Sequence, residues 1–317
     1  MPQRRALLAA PFLALAQPAR AQAFPDRGLR MIIPFPPGGA ADFLGRVAGE
    51  HMTRTLGQPI SIDNRTGAGG NIGTALAAQG ERDGHTILLN GVPLAVNRYL
   101  YAALPFDAER DFTPVAMLAI VPNIMVVPND MPATNVAEFI ALARTRPMTY
   151  ASIGNGTSLH LAGAQFSIAT GLNLTHVPYR ETGAANTDVM AGRVDCMFQT
   201  ISAAAGLVRG GGMKALAVTS AERVPAFAEV PTLRESGVDL VSVGWFGLFV
   251  QSGVPVARVL RLESDARAAI RDPGVAARIE ASGSMPRAMP GAEFAVFIAG
   301  ETERLGALVR AAGIRAD

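Results

Sequence analysis

Two glycine-rich loops carry the clearest chemical signal in the sequence, and the chemistry they suggest is anion binding. The first loop is Ile33–Asp42 and the second is Ser152–His160. Each loop follows a short apolar run that predicts a strand, and each leads into a segment with the apolar spacing of a helix. The first turn of a helix has N–H groups without intrahelical partners and the positive end of the helix dipole, so it attracts anions without a charged side chain. Two such loops facing each other from two domains would hold a carboxylate.

The polar residues of these loops also have structural interpretations, which remain open at this point. Asp42 is expected to cap its helix or to pair with Arg46 one turn further on. Thr157 and Ser158 offer hydroxyl groups to an anion and equally serve as N-caps, and the two roles are compatible. A histidine at the position of His160 is more often a satisfied structural residue than a ligand contact.

The sequence lacks the motifs of the common catalytic and nucleotide-binding sites. Gly67–Ile72 and Gly154–Leu159 both lack the glycine that the dinucleotide fingerprint requires in its sixth place. There is no G-x-x-x-x-G-K-[ST] phosphate loop and no G-x-S-x-G nucleophile elbow. The four histidines show no metal-binding spacing, and Cys196 is the only cysteine, which excludes an intramolecular disulfide. We therefore expect no enzymatic activity, no metal site and no cofactor.

The first 23 residues have the pattern of a secretory signal peptide. Arg4 and Arg5 precede the apolar stretch Ala6–Ala16, which is too short to span a bilayer. Small residues predict cleavage after Ala21 or Ala23 and thus a periplasmic protein. Cleavage removes three arginines, so that 25 basic residues remain against 26 acidic ones and the formal charge moves from +2 to −1. Because the mature chain is not basic and has no run of arginines, we expect no binding to nucleic acid.

Apolar strands alternate with amphipathic segments, which predicts an α/β protein with mostly parallel sheets flanked by helices. Roughly 295 residues after cleavage are enough for two domains. We interpret the long apolar runs Val115–Val127 and Trp245–Val250 as crossings between them. Domain 1 is then discontinuous, made of 24–120 plus 248–317, and domain 2 is 121–247. Strands are predicted at 31–35, 60–63, 86–89, 149–151, 175–177, 194–198 and 215–218, and helices at 41–56, 72–79, 135–144, 158–169, 184–191, 256–270, 274–281 and 292–312.

The order of short motifs along almost the whole mature chain resembles the Bug-type periplasmic solute-binding proteins, the extracytoplasmic receptors of tripartite tricarboxylate transporters. Each motif is weak alone, and their number and order carry the resemblance. In chain order they include Pro34–Ala40, Asp63–Gly73, Leu104–Asp107, Asp111–Val115, Gly154–Leu161, His176–Tyr179, Gly192–Asp195, Ala215–Ser220, Val230–Thr232 and Gly244–Gly247.

The resemblance implies a type II-like periplasmic-binding-protein architecture, in which two α/β domains close over a small organic carboxylate. It also implies that backbone amides and ordered water hold one carboxylate between the loops of the two domains. Ala41 stands where the family often has Thr or Ser, and Arg180-Glu181 follows Tyr179 where glycine is usual, so the identity of the ligand stays open. The ligand-binding residues carried over by the resemblance are Gly38, Gly39, Ala40, Asp42, Asn155, Gly156, Thr157, Ser158 and His160, with Tyr179 and Asp195 at motif positions that face the cleft. For Asp195, the alternative is that it only holds its loop together.

The leading prediction is a monomeric periplasmic receptor that delivers a small organic carboxylate to the membrane components of a tripartite tricarboxylate transporter. One alternative is the same receptor serving as the sensor subunit of a membrane signalling partner. The other is a secreted hydrolase or isomerase acting in the cleft, and the lack of a nucleophile–base motif counts against it. Citrate-like acids, dicarboxylates, acidic amino acids and aromatic carboxylates are all open as ligands.

Overall fold

The computed structural model describes residues 24–315, so the predicted signal peptide lies outside the described residues. The N-terminal third contains β1 (Leu29–Ile33), α1 (Ala40–Leu56), β2 (Ile60–Asn64), α2 (Asn71–Ala78), β3 (Thr86–Gly91), α3 (Val92–Leu100) and α4 (Ala108–Asp111). The middle contains β4 (Phe112–Pro128), α5 (Val136–Ala143), β5 (Met148–Ser152), α6 (Ser158–Thr170), β6 (Leu174–Pro178), α7 (Thr182–Met190), β7 (Cys196–Thr200), α8 (Ile201–Arg209) and β8 (Met213–Val218). The C-terminal part contains β9 (Val243–Gln251), α9 (Val256–Arg271), α10 (Pro273–Ala281), β10 (Met285–Pro290) and α11 (Gly291–Ala312).

The long strand β4 joins two sheets. As far as Pro122, β4 pairs with β9 in a first sheet whose order is β2-β1-β3-β9-β4. From Asn123 onward it pairs with β7 and β8 in a second sheet, which continues as β4-β7-β5-β6. Pairing is parallel among β1, β2 and β3 and among β5, β6 and β7, whereas β4 and β9 pair antiparallel with their neighbours. The predicted two-domain α/β class is confirmed, and its sheets are mixed because of these two strands.

The chain passes from the first sheet to the second at Asn123 and returns between β8 and β9. The Thr219 N–H donates to the Asn123 carbonyl oxygen at 2.9 Å, and the Asn123 N–H donates to Thr219 Oγ1 at 3.0 Å. The Ser242 N–H donates to the Thr219 carbonyl oxygen at 2.9 Å. The two crossing segments therefore run side by side and are tied together by buried hydrogen bonds.

The second crossing lies earlier in the chain than the apolar run Trp245–Val250 suggested. That run is part of β9 in the first sheet, where Trp245 pairs with Ile120 and Val243 pairs with Pro122. The division into 24–120 plus 248–317 and 121–247 stays a proposal. We propose that its last boundary moves from 248 to 243, since the pairing of β9 reaches that far.

Helices cover both faces of the first sheet. Along β1, Met31 and Ile33 pack toward α1 and α9, whereas Ile32 packs toward α3 and α11. Strands buried on both faces consist of continuous apolar residues, which explains the run Met31–Ile33 that follows Arg30 in β1. In a parallel sheet all strands end at the same edge, so the loops after β1 and β3 meet there, as do those after β5, β6 and β7. Among residues 24–315, no helix has the length and apolarity that a membrane crossing needs.

Candidate ligand-binding cleft

The cleft between the domains lies at the carboxyl ends of the parallel strands, and five helices begin there. Helices α1, α3, α6, α7 and α8 follow β1, β3, β5, β6 and β7, and each contributes its first or capping residues to the wall. The space is narrow and partly open to solvent. None of the lining side chains carries a charge. The lining residues are Phe35, Gly39, Ala40, Ala41, Val92, Pro93, Ile153, Thr157, Ser158, Leu159, Thr182, Gln199, Thr200, Gly244, Trp245 and Phe246.

This arrangement favours a small anion. Each helix presents N–H groups without intrahelical partners at its start, together with a partial positive charge of about half an elementary charge. Low-polarity walls strengthen such interactions, since little water screens them. The lining therefore offers a ligand the amides of five helix starts and no charged side chain.

The first loop exposes backbone amides at the start of α1. Gly39 is the capping residue and makes no side-chain cap, and the first helical hydrogen bond runs from the Phe43 N–H to the Gly39 carbonyl oxygen at 3.0 Å. The N–H groups of Ala40 and Ala41 therefore precede the hydrogen-bonded part of the helix. Asn64 fixes the loop by donating from Nδ2 to the Phe35 carbonyl oxygen at 3.1 Å.

Asp42 is placed as a structural residue and does not line the cleft. Its Oδ2 accepts from the Gly38 N–H at 3.1 Å and from Arg46 Nε at 3.0 Å. Burial would raise the pKa of Asp42, but the hydrogen bonds from Arg46 and the Gly38 amide outweigh it and lower that pKa below its ordinary value. The carboxylate is thus ionised, and it holds the turn at Gly38, whose φ of +76° favours glycine.

The hydroxyl groups of Thr157 and Ser158 are both used inside the protein. Thr157 Oγ1 caps α6 by accepting from the His160 N–H at 3.4 Å and donates to the Gly154 carbonyl oxygen at 2.7 Å. Ser158 Oγ donates to Asn123 Oδ1 at 3.3 Å, at the crossing between the domains. Both residues line the cleft. The contacts match the capping interpretation for Thr157, whereas Ser158 is the first residue of α6 and bonds to Asn123 instead of capping the helix.

His160 lies behind the second loop, buried in a stack of rings. The Gly156 N–H donates to His160 Nδ1 at 3.1 Å, and the ring centroid lies 4.2 Å from that of His176. Burial lowers the pKa of His160 to about 4, while burial and the neighbouring His160 lower that of His176 to about 3. Both rings are therefore neutral near pH 7, and His160 orders the loop without adding charge to the cleft.

Tyr179 and Asp195 are not brought to the cleft. The Tyr179 hydroxyl donates to Asp188 at 2.7 Å, and burial together with that carboxylate raises the pKa of Tyr179 to about 12. Asp195 accepts from the Thr149 N–H at 2.8 Å and from Arg146 at 2.6 Å. Thr149 lies near the start of β5, the end opposite the cleft, so Asp195 holds its loop as the structural interpretation proposed.

The second loop touches the first domain beside the cleft. A Cβ atom added to Gly69 would lie 2.1 Å from the Asn155 carbonyl oxygen. A Cβ added to Gly156 would lie 2.0 Å from Asn97 Oδ1. Asn155 and Gly156 therefore form a contact between the domains. Gly69 leaves room for the backbone of Asn155, and Gly156 leaves room for the side chain of Asn97.

Sequence reasoning missed the contributions of α3, α7 and α8 to the cleft. Thr182 Oγ1 and Trp245 Nε1 are buried and have no hydrogen-bond partner among the described residues. Two features of the sequence could have indicated these contributions. Pro93 in the first turn of α3 is typical of a helix start. Strands β6 and β7 are parallel to β5, so they end at the same edge of the sheet. Thr182 and Thr200 follow those strand ends, where ligands bind in open α/β sheets.

Comparison with known proteins places these features in context. A family profile described as the tripartite tricarboxylate transporter family receptor matches residues 44–314. Protein BugT of Bordetella pertussis strain Tohama I is 32% identical over 306 residues, covering 95% of this chain and 94% of BugT. The solved structure of R. palustris Rpa4515 with adipate superposes with a TM-score of 0.90 at 30% identity, covering 92% of this chain and 99% of that one. MatC from Rhodopseudomonas palustris with bound malate gives a TM-score of 0.84 at 30% identity, covering 90% of this chain and 100% of that one.

Proposed function

The chain belongs to the tripartite tricarboxylate transporter family of receptors, and we propose that it captures a small organic carboxylate in the periplasm and delivers it to a transporter of that type. Membership confirms the predicted resemblance to Bug-type solute-binding proteins. It also confirms that the chain is a solute-binding receptor and not an enzyme. The carboxylate, its delivery and the membrane partner are our proposal.

The observation that carries the proposal is the meeting of five helix starts at a cleft without charged side chains. A cation would meet the positive ends of the helix dipoles, which disfavours it. A small carboxylate places one or two negative charges where amides converge. Its oxygens accept several hydrogen bonds at once.

Within this cleft we propose that the grip consists of the backbone amides of Gly39 and Ala40 from the first loop and of Ser158 from the second. Thr157 lines the cleft, but its N–H donates to the Gly154 carbonyl oxygen at 3.4 Å, so we propose that it shapes the second loop. Gly38 shapes the first loop. We no longer propose ligand contacts for the other predicted site residues. The contact between the domains is formed by Asn155 and Gly156. The remaining four, whose polar groups bond to other groups of the protein, are Asp42, His160, Tyr179 and Asp195.

The relatives narrow the choice of ligands to test. Rpa4515 was solved with adipate and MatC with malate, and both compounds are dicarboxylates. Dicarboxylates of four to six carbons are therefore the first candidates for this chain. Citrate, glutamate and benzoate extend the panel toward tricarboxylates, amino acids and aromatic acids.

A thermal-shift screen with this panel tests the carboxylate. A ligand present at 1,000 times its dissociation constant stabilises the native state by about 4 kcal/mol through mass action. We expect at least one acid to raise the unfolding temperature and the corresponding diamide to leave it unchanged. A protein that responds to amines or nucleotides and to no carboxylate would contradict the proposal.

Localisation and delivery require separate tests. We propose export through residues 1–23, with the mature chain beginning at Gln22 or Phe24, and a monomeric receptor in the periplasm. N-terminal sequencing of the periplasmic protein that returns Met1 would refute export. Cross-linking in cells, with and without the stabilising acid, should capture a membrane transporter component, and capture of a membrane kinase would favour the sensor alternative.

A further inference from the structure

Thr182 stands out among the hydroxyl residues that line the cleft. Thr157 and Ser158 use their hydroxyls in bonds to Gly154 and Asn123, and Thr200 Oγ1 donates to Gln199 at 3.3 Å. Thr182 Oγ1 is buried and has no partner among the described residues, and Thr182 is 6% exposed. A buried hydroxyl without a partner is unfavourable, so a group that enters the cleft is expected to supply one.

The position of Thr182 relates it to the first loop. A Cβ atom added to Gly39 would lie 3.7 Å from Thr182 Oγ1, so this hydroxyl faces the start of α1 from the other domain. Thr182 is also the first residue of α7, a helix of nine residues whose capping residue Glu181 makes no side-chain cap. The first helical bond of α7 runs from the Ala185 N–H to the Glu181 carbonyl oxygen at 3.2 Å. The amides before Ala185 and the Thr182 hydroxyl are therefore donors on the same side of the cleft.

From this geometry we propose that Thr182 donates a hydrogen bond to the carboxylate held at the first loop, and that this bond couples ligand binding to domain closure. The inference rests on the proposed function, because it needs an anion in the cleft. One carboxylate oxygen accepts from the α1 amides and from Thr182 Oγ1 at the same time. Since α1 and α7 belong to different domains, that oxygen joins them, and only an acid with an ionised carboxylate at this end can do so.

Thr182→Val tests the bond, because valine keeps the branched shape and removes the hydroxyl. Calorimetry with the strongest carboxylate of the panel should give a dissociation constant raised by about 10- to 100-fold, the usual cost of losing a hydrogen bond to a charged group. Thr182→Ser keeps the hydroxyl and should stay within about threefold of wild type. Small-angle scattering should show that the acid compacts the wild-type and serine proteins at concentrations that leave the valine protein extended.

Thr187→Val is the matched control on the same helix. Thr187 Oγ1 donates to the Gly183 carbonyl oxygen at 2.9 Å on an exposed face, so its loss should leave the affinity unchanged. A Thr182→Val protein that folds, binds the acid with wild-type affinity and compacts normally would overturn the role of Thr182 alone. A wild-type protein that binds no carboxylate of the panel would instead overturn the proposed function and the inference with it. If Thr182→Val fails to fold, a Thr182→Ser protein that loses affinity as strongly as Thr182→Ala also overturns the inference.

Discussion

Replacing Gly156 by alanine should weaken ligand binding by blocking the contact between the domains. The added Cβ would lie 2.0 Å from Asn97 Oδ1, and real Cβ atoms essentially never approach closer than 3.0 Å, so about 1 Å of movement is needed. Asn97 cannot turn away freely, because its Nδ2 donates to the Gly69 carbonyl oxygen at 3.1 Å and to Asn71 Oδ1 at 2.7 Å. Overpacking of this kind costs about 1–3 kcal/mol.

That cost applies only when the domains are closed, so it appears in the affinity. The apparent dissociation constant rises as the fraction of molecules that can close falls. A cost of about 1–3 kcal/mol corresponds to a dissociation constant that is roughly 5- to 150-fold higher. Alanine at Gly156 also has to adopt a φ of +79°, which costs about 1–2 kcal/mol in open and closed protein alike. This second cost lowers the unfolding temperature without changing the affinity.

Two further variants separate these effects. Gly171→Ala carries the same backbone cost at a φ of +65°, but no atom lies within 4 Å of its Cβ position, so it should lower stability and leave the dissociation constant unchanged. Asn97→Ala removes the obstructing oxygen, and the double variant should bind as Asn97→Ala does. Calorimetry measures the affinities and small-angle scattering the closure. Wild-type affinity in Gly156→Ala, or purely additive losses in the double variant, would refute the reasoning.

Three other predictions follow from the site. Gly39→Val should raise the dissociation constant for the ligand at least tenfold and leave the circular dichroism spectrum unchanged. The added Cβ alone would lie 3.5 Å from the Pro36 carbonyl oxygen, and the two methyl groups of valine have to enter the space before α1. Undiminished affinity would show that the first loop does not hold the ligand. Asp195→Asn should lower stability by about 1–3 kcal/mol through its lost charged bonds yet keep the affinity within twofold, as measured by denaturation and calorimetry. The pKa of His160 is about 4 in the folded protein, whereas its ordinary value is 6.5, so the unfolded state binds the proton more strongly. The free energy of unfolding is therefore expected to fall as the pH drops from 6.5 toward 4, by up to about 2 kcal/mol at pH 5. Denaturation at pH 7 and pH 5 should show this loss in wild type and less of it in His160→Asn, which keeps an acceptor for the Gly156 amide.

Most strands were predictable because their signal is local. Short apolar runs mark them, such as Met31–Ile33 in β1 and Ile87–Leu89 in β3. Strands Leu29–Ile33, Ile60–Asn64 and Thr86–Gly91 lie within two residues of the predicted bounds. The antiparallel pairing of β4 with β9 was not predictable, since it joins residues far apart in the chain. Strand β10 (Met285–Pro290) was missed because prolines occupy its second and last positions, which argue against a strand.

Three helices were missed: the four-residue α4 and, for a different reason from that of β10, α3 and α8. Val92 follows the last residue of β3 directly, and Ile201 follows the last residue of β7 directly. Without a polar linker or a side-chain cap, the apolar start of each helix merges with the strand before it. These junctions are also where α3 and α8 reach the cleft. Because the sequence pattern did not predict the two helices, it did not predict their part of the lining either.

The turns that precede α1 and α6 were predictable, whereas the contacts of their polar side chains were not. Glycine and proline specify a turn from local backbone preferences, which located the starts of α1 and α6. Whether Ser158 or Thr182 faces a ligand depends on what else lies within hydrogen-bond distance, and Asn123 comes from a distant strand. A hydroxyl with a partner elsewhere in the fold is indistinguishable in sequence from one without.

The uncharged lining of the cleft has a consequence for selectivity. Helices α1 and α3 belong to the first domain and α6, α7 and α8 to the second, so an anion experiences all five helix starts only when the domains are closed. A ligand shifts a conformational equilibrium only by its differential affinity for the two states. For the carboxylate proposed above, we expect the negative charge of the ligand to supply the closing force and a neutral compound of the same shape to leave the domains open. The affinity for different acids then depends on how their carbon skeletons fit the apolar walls formed by Phe35, Val92 and Phe246. The lining has no Lys or Arg side chain that would bind a carboxylate at one position more strongly than at another.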